Sequence, residues 1–547
     1  MTQLSHSTGK TSAQVRGDPR LDPVSREDGS MSVYERSTRD AWRVHGFEGT
    51  PDELAADQTV LAAWESHVRS NPSHPVFAEF GQQWMTAAEL HHRAMRVAAY
   101  FENRGLGVGD RVVMSCLPTV SLIVVHLGAL AAGLVVVPVN TAFTDTELAN
   151  ITSEATPQIV VLDDPARFPG CPVDVFTLEQ VVLLSQNEEL PAEGRRADNL
   201  RADDPALLVF TSGTTGKPKG ALLSHGNLLA SAVALTIAWQ WKPEDRLVLS
   251  LPLFHMHGLG VGVHGTLVAG ASAVIVAKFS PDAVLDATRI EQATMLFGVP
   301  TMWVRLLESQ RVGELGDLRL CVSGSAALSP DVWEGLRERA GQEIVERYGM
   351  TETVMNISNP FRGERRPGSV GLALPGVEVQ LDSPGDDGVG EIVLRGPNVF
   401  RGYWNRPDAN EEAFTTDGWF RTGDLGRFDP DGYVTIVGRS KDLIISGGYN
   451  VYPRDVEDVL RSHPDVADAS VVGEISKEWG ETVTACVIAR EGHHPSAGQL
   501  IAFCAEHLAG YQRPRRVVFV REFPRNALGK VVKAELTRAI GTSGPLR

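Results

Sequence analysis

Short runs of aliphatic residues recur along this chain between stretches of helical spacing. They are Val135-Val136-Val137-Pro138, Ile159-Val160-Val161-Leu162, Leu207-Leu208-Val209-Phe210, Leu247–Leu251 and Ala273–Val276. Unbroken apolar runs this short read as strands buried on both faces, and strands separated by helices pair mostly in parallel. The expected fold class is therefore α/β, with layered, largely parallel sheets. Val120–Val139 is apolar enough to imitate a membrane span. However, His126 interrupts it, and Ala131-Ala132-Gly133 breaks it into helix, turn and strand, so it reads as core. A chain of 547 residues exceeds one ordinary core, and two to four folding units are expected.

The pattern changes after about residue 375. Glu391–Arg395 and Tyr433–Val437 alternate between turn residues, which predicts a small, more antiparallel, β-barrel-like subdomain. Gly438–Asp442 reads as a junction. The remainder reads as a compact α+β unit with a helix at Pro453–Ser462 and strands at Ala469–Val472, Val483–Ile488 and Arg516–Val520. The expected division is a disordered tail at 1–50, a large domain at 51–438 and a small mobile domain at 439–547. The tail is polar, rich in Ser, Thr and Arg, and has no secretory apolar core. A formal charge of −17 argues against non-specific nucleic-acid or anionic-membrane binding. Five scattered cysteines without a C-x-x-C pair suit a reducing, cytoplasmic setting.

Chemistry concentrates first at Thr211–Gly220, TSGTTGKPKG, directly after an expected buried strand. Three glycines, four hydroxyls and two lysines suit a polyanion, because glycine lets backbone N–H groups approach phosphate closely. Pro218 after Gly216-Lys217 departs from the common G-x-x-x-x-G-K-[ST] pattern, so this is a phosphate loop of another kind or a surface turn. About 130 residues on, Glu346–Thr353 (ERYGMTET) offers an aromatic ring for stacking, a hydroxyl and a carboxylate able to hold Mg²⁺. Asp424, in Trp419–Asp424, is placed to accept ribose hydroxyls. His255 and His257 lack a third nearby ligand, which is a weak metal signal.

Taken in order, these motifs resemble the adenylate-forming superfamily of acyl-CoA synthetases, peptide-synthetase adenylation domains and luciferases, over about Thr59–Lys533. The resemblance implies ATP, Mg²⁺ and coenzyme A as cofactors. It implies catalytic roles for Lys530, Glu352 and Thr211, with Thr211 and Glu352 at the metal. Phosphates would lie on Thr211, Ser212, Gly213, Thr214, Thr215, Gly216, Lys217 and Lys219, with Thr351 reaching one of them. Adenine would lie near Ser323, Gly324, Ser325, Tyr348 and Gly349. Asp424 and Arg439 would face the ribose and phosphates, and Lys441 would be the hinge of the small domain. Gly447, Gly448 and Tyr449, within Gly447–Pro453, which reads as a glycine turn opening a helix, would help form the pantetheine tunnel. The expected partner is a small carboxylic acid, with no nucleic acid or integral membrane association, in a monomer or small homo-oligomer.

Ala293–Arg305, Glu346–Asn359 and Gly368–Glu378 are similar to malonyl-CoA synthetases. On that resemblance His255, Met355 and Asn356 line the acyl pocket, and Arg305 is the candidate cation for a distal carboxylate. The alternative reading of Arg305 is a surface helix residue. Thr266–Gly270 replaces basic residues usual in that group, which leaves a fatty or aryl acid open. An enzyme loading a carrier protein is a further alternative.

Overall fold

The computed structural model describes residues 33–54, 58–191, 199–211, 218–476, 479–525 and 530–541. Among these, four sheets account for the strands. The largest has nine strands, and its centre is the parallel set Leu320–Ser323, Met295–Gly298, Arg246–Leu249, Ser272–Ile275 and Pro75–Glu79. Each of the first two and Ser272–Ile275 is buried along its whole length, as continuous apolar runs between helical layers require. The seven-stranded sheet carries Val135–Pro138, Arg111–Ser115 and Ile159–Leu162 in parallel. It ends in an antiparallel edge formed by Pro205–Thr211, Lys219–Ser224 and Gly402–Tyr403.

Val120–Val139 is helix Val120–Ala131, a turn, and strand Val135–Pro138. The helix is buried nearly all round, and a Cβ added at Gly128 would meet Val97 Cβ at 2.5 Å, so glycine lets it lie close against Ala87–Asn103. Among the described residues no helix is long and apolar enough to cross a membrane. Capping boxes at Thr86–Glu89, Thr144–Glu147 and Ser224–Asn227 start three of the helices by satisfying otherwise orphaned N–H groups.

After residue 377 a four-stranded antiparallel sheet forms from Glu378–Asp382, Gly390–Arg395, Phe420–Phe428 and Val434–Arg439. The turn Ser440–Asp442 leads from it into a five-stranded sheet with its own core of Val456, Leu460, Val471, Val483, Leu500 and Cys504. The result is the large-plus-small α/β architecture expected.

One expectation is corrected and another refined. Residues 33–44, assigned to a disordered tail, form a helix whose Trp42 is buried and donates from Nε1 to the Val377 carbonyl at 3.0 Å. The buried indole with its satisfied N–H, together with buried Ala41 and His45, anchors an otherwise polar segment. Between the glycine turn and the helix expected at Pro453 lies a short strand that the sequence reading passed over. With φ of +60° and +84° Gly447-Gly448 forms the two-residue turn of hairpin Ile444–Ser446/Tyr449–Val451, and the helix begins at Pro453.

Candidate active site

The hairpin of the seven-stranded sheet sets Thr211 opposite Lys219, and the Thr211 hydroxyl donates to the Lys219 carbonyl at 3.3 Å. The base of the glycine-rich loop is thereby tied. Ser212, Gly213, Thr214, Thr215, Gly216 and Lys217 lie outside the described residues. The Lys219 ammonium sits 5.2 Å from the centre of the Tyr403 ring. Tyr403 arrives there because Gly402-Tyr403 adds an edge strand to Lys219–Ser224, and its hydroxyl donates to Glu352 Oε1 at 2.9 Å. Burial pushes the Glu352 carboxyl above its ordinary range, against the opposing pull of the Tyr403 hydrogen bond and the Arg439 charge. A buried carboxyl in want of positive charge, next to a phosphate-type hairpin, fits a Mg²⁺ shared with phosphates.

A second group forms around Asp424. Tyr348, at the end of strand Val345–Tyr348, donates from its hydroxyl to Asp424 Oδ2 at 2.6 Å. The antiparallel register places Asp424 opposite Arg439, and Arg439 Nε lies 3.1 Å from Asp424 Oδ1. Burial, then the Asp424 charge, hold the Tyr348 hydroxyl well above its ordinary pKa, so it remains a donor. Lys530 lies in the field of Arg439, Asp424, Asp442 and Lys441. It keeps accessible surface, yet the surrounding protein crowds it. That desolvation, and then Arg439, lower its ammonium pKa. Lys441 is lowered too, chiefly by burial.

The third group lies behind strand Leu320–Ser323. A Cβ at Gly324 would meet the Arg347 guanidinium carbon at 2.3 Å, so glycine is needed there for Arg347 to pass. Arg347 is buried, and its Nε and Nη2 have no partner among the described residues. Burial lowers its pKa to about 9, which still leaves it charged near neutrality. Ser325, at φ +72°, approaches His257 Nδ1 with its hydroxyl at 3.3 Å. Buried Ser323 Oγ and His257 Nε2 likewise lack partners among the described residues. His255, pushed down to about 4 by burial, packs on Phe254 with ring centres 4.7 Å apart. Met355 and Asn356 are buried just beyond Glu352, and Gly349 and Thr351 lie in the turn between Tyr348 and Glu352.

Arg305 is corrected. It is exposed on helix Pro300–Glu308 with its guanidinium 5.1 Å from the Phe279 ring, and the buried cation of this region is Arg347. Arg347 lies inside a motif already singled out, but a strand arginine between Glu346 and Tyr348 gives no sign of which face it takes. Tyr403 is a second residue that sequence reading passed over; it becomes visible only through the edge-strand pairing. On the far side, the Gly447 amide donates to the Trp479 carbonyl at 2.8 Å, and exposed Tyr449 stacks on Tyr511 at 4.7 Å.

Residues 64–404 match the AMP-binding enzyme family, and residues 455–530 match the AMP-binding enzyme C-terminal domain. The chain is 35% identical over 488 residues to a malonate–CoA ligase from Arabidopsis thaliana, spanning 80% of this chain and 79% of that protein. It is 34% identical to a feruloyl-CoA synthase from an Amycolatopsis species, spanning 88% and 99%. The crystal structure of ATP-bound MatB from Rhodopseudomonas palustris superposes with a TM-score of 0.83 at 38% identity, spanning 89% and 99%. Fold and relatives together define an AMP-forming acyl-CoA synthetase, which uses ATP and coenzyme A. The chain belongs to the AMP-binding enzyme family.

Proposed function

We propose that this synthetase activates malonate or a similar short dicarboxylate. The observation that carries the reading is Arg347, a buried guanidinium with two nitrogens unpartnered among the described residues. Burying an arginine without hydrogen-bond acceptors is costly, whereas a ligand carboxylate offers paired acceptors for a planar fork. His257, in the field of Arg347, adds a further unpartnered nitrogen, Nε2. Thr266–Gly270, which carries no basic residue, is mostly buried helix, and a Cβ at Gly270 would meet the His67 ring at 2.5 Å. That stretch carries no cation, and the charge in this reading comes from Arg347 on strand Val345–Tyr348. The similarity to the Arabidopsis malonate–CoA ligase is consistent with this reading.

The reacting carboxylate then lies on the Glu352 side, with its distal partner on Arg347. Its oxygen bonds to the α-phosphorus of ATP and the bond to pyrophosphate breaks. Lys530 carries positive charge to the attacking carboxylate and the bridging oxygen, and positioning with charge neutralisation supplies most of the acceleration. Glu352, with Thr211, would hold Mg²⁺, which neutralises phosphate charge when bound. Lys219 and the loop 211–217 hold the outer phosphates. Tyr348, Ser323–Ser325, Gly349 and Thr351 frame the nucleotide, and Asp424 and Arg439 face its ribose. Residues 439–547 then turn about Lys441, withdrawing Lys530 and presenting Gly447–Tyr449 beside the coenzyme A thiol. The coenzyme A sulfur, its proton given up to solvent, bonds to the acyl carbon, the bond from that carbon to the AMP phosphate oxygen breaks, and AMP leaves. His255, neutral above about pH 4, shields the acyl group from water.

The test is AMP release dependent on both coenzyme A and acid, across malonate, methylmalonate, acetate, octanoate and benzoate. Malonate is expected to be preferred. Arg347→Met should lower malonate kcat/KM by about a hundredfold or more, as loss of a charged hydrogen-bonding pair does, while ATP affinity stays within about threefold. Turnover of octanoate or benzoate alone by the unmodified enzyme would reject malonate and leave the ligase activity standing.

A further inference from the structure

The carbonyl of Thr353 accepts from the amide of Met355 at 2.7 Å, closing a three-residue turn with Val354 at its apex. Val354 has φ +57°. A β-branched side chain is strained at positive φ, and an apex of this sign makes the rarer, costlier form of such a turn. Such a conformation persists only where its surroundings hold it. The turn sits between Glu352 and the pair Met355 and Asn356. Its apex carbonyl presses on Gly349, where an added Cβ would meet Val354 O at 2.2 Å.

Asn398 holds this turn. Its side chain is buried, and Nδ2 donates to Thr353 O at 2.8 Å, to Met355 O at 2.9 Å and to Asn356 Oδ1 at 3.0 Å. One amide thus spans both ends of the strained turn and fixes the next side chain. Asn398 is itself held. Asn227 Nδ2 donates to the flanking carbonyls of Pro397 at 2.8 Å and Val399 at 3.0 Å, and the Phe400 amide donates to Glu352 O at 2.9 Å. Beyond it, Gly402-Tyr403 pairs with the Lys219–Ser224 strand, and the Trp404 amide donates to Gly220 O at 2.8 Å. Residues 397–404 therefore form a strap running from the base of the phosphate hairpin to the turn that floors the acyl site.

We infer that Asn398 is a positioning residue for the acid substrate: it holds the strained Thr353–Met355 turn in the conformation that sets Met355, Asn356 and the Glu352 backbone. The inference rests on the reading that Met355 and Asn356 border the acyl site, and it does not depend on which acid binds there. If strain at Val354 is what Asn398 opposes, glycine at 354 makes Asn398 dispensable, because glycine adopts positive φ without steric cost. A merely structural asparagine would show no such selective rescue.

The experiment is a double-mutant cycle of Asn398→Ala and Val354→Gly in the full-length enzyme. It is read by acid-dependent ATP–pyrophosphate exchange, with equilibrium dialysis for ATP, using whichever acid of the panel the unmodified enzyme turns over best. Asn398→Ala is expected to raise the acid KM about tenfold, with ATP affinity within about threefold. Adding Val354→Gly should return the acid KM to within about threefold of the Val354→Gly single variant. An unchanged acid KM in Asn398→Ala, or no recovery in the double variant, overturns the inference. If Asn398→Ala alone does not fold, the double variant must fold, and its failure to do so also overturns it. Failure of malonate as substrate changes only the acid used in the assay, so the two results are separable.

Discussion

Glu346 and Arg347 are neighbours on one strand, and the alternation of strand side chains sends them into different surroundings. Glu346 is buried, accepts from the amides of Leu328 at 3.3 Å and Gly368 at 3.0 Å, and has a carboxyl raised to about 7, chiefly by burial. Its folded pKa lies above the unfolded value, so the fold favours the neutral form. That stabilisation is complete below the unfolded pKa near 4.5 and is lost as pH rises through about 7. Between pH 4.5 and 8 the unmodified protein should lose on the order of 3 kcal/mol relative to Glu346→Gln. Urea unfolding of both across that range checks it, and parallel pH profiles would contradict it. Residue types were legible from the sequence: within Glu346–Thr353 the tyrosine meets Asp424 and the acid meets Tyr403, so both belong to the polar groups described above. Facing was not. Arg305 drew notice as a cation in a familiar stretch, and only the helix orientation shows it exposed, while the three-dimensional approach of Gly324 admits Arg347.

The element carrying Lys530 is secured by charges at its base. The Val532 amide donates to Pro524 O at 2.8 Å, and Arg525 bridges to Val531 and reaches Asp468 at 2.6 Å. Residues 526–529 lie outside the described residues. Lys533, opening helix Lys533–Gly541, donates to Glu457 Oε1 at 2.8 Å and to Val471 O at 2.9 Å. Burial would push the Glu457 carboxyl up, yet Lys533 and Arg461 bring it below its ordinary value. Removing one partner strands the other, so Glu457→Ala should destabilise the protein by about 3–5 kcal/mol, and Glu457→Leu with Lys533→Met by much less. Thermal unfolding of the three proteins decides this; equal losses would show that the pair is not coupled. Strands and helices here followed periodicity closely, as in Val120–Val139 and the Val466–Ser476 region. Two elements escaped it for physical reasons. The helix at 33–44 is held by distant contacts, chiefly buried Trp42 with Ala41 and His45 beside it, and Gly402-Tyr403 is too short to show a period.

At the scale of the whole molecule, the small C-terminal unit is clasped to the four-stranded sheet through Tyr452 and Arg454. The Tyr452 ring packs with Val389 and Val437, and its hydroxyl donates to Asp387 Oδ2 at 2.9 Å. Arg454 donates to the carbonyls of Ile436 and Gly368. These contacts exist in the arrangement that places Lys530 near Asp424 and Arg439. Loosening them should disfavour the first half-reaction relative to the second. Tyr452→Phe combined with Arg454→Ala is expected to slow acid-dependent pyrophosphate exchange about five- to tenfold. Thioester formation from preformed acyl-adenylate should proceed at or above the unmodified rate. Rapid-quench measurement of both steps tests this, and equal slowing of both would reject it. The strap at 397–404 has a separate consequence for recombining this enzyme with its relatives. Asn227, Thr353–Asn356 and Asn398 meet in space but are widely separated along the chain. A crossover between residues 228 and 352, or between 357 and 397, divides the holder from the held. Chimeras that take all three segments from one parent should keep the turn in place, whereas those that split them should show a raised acid KM.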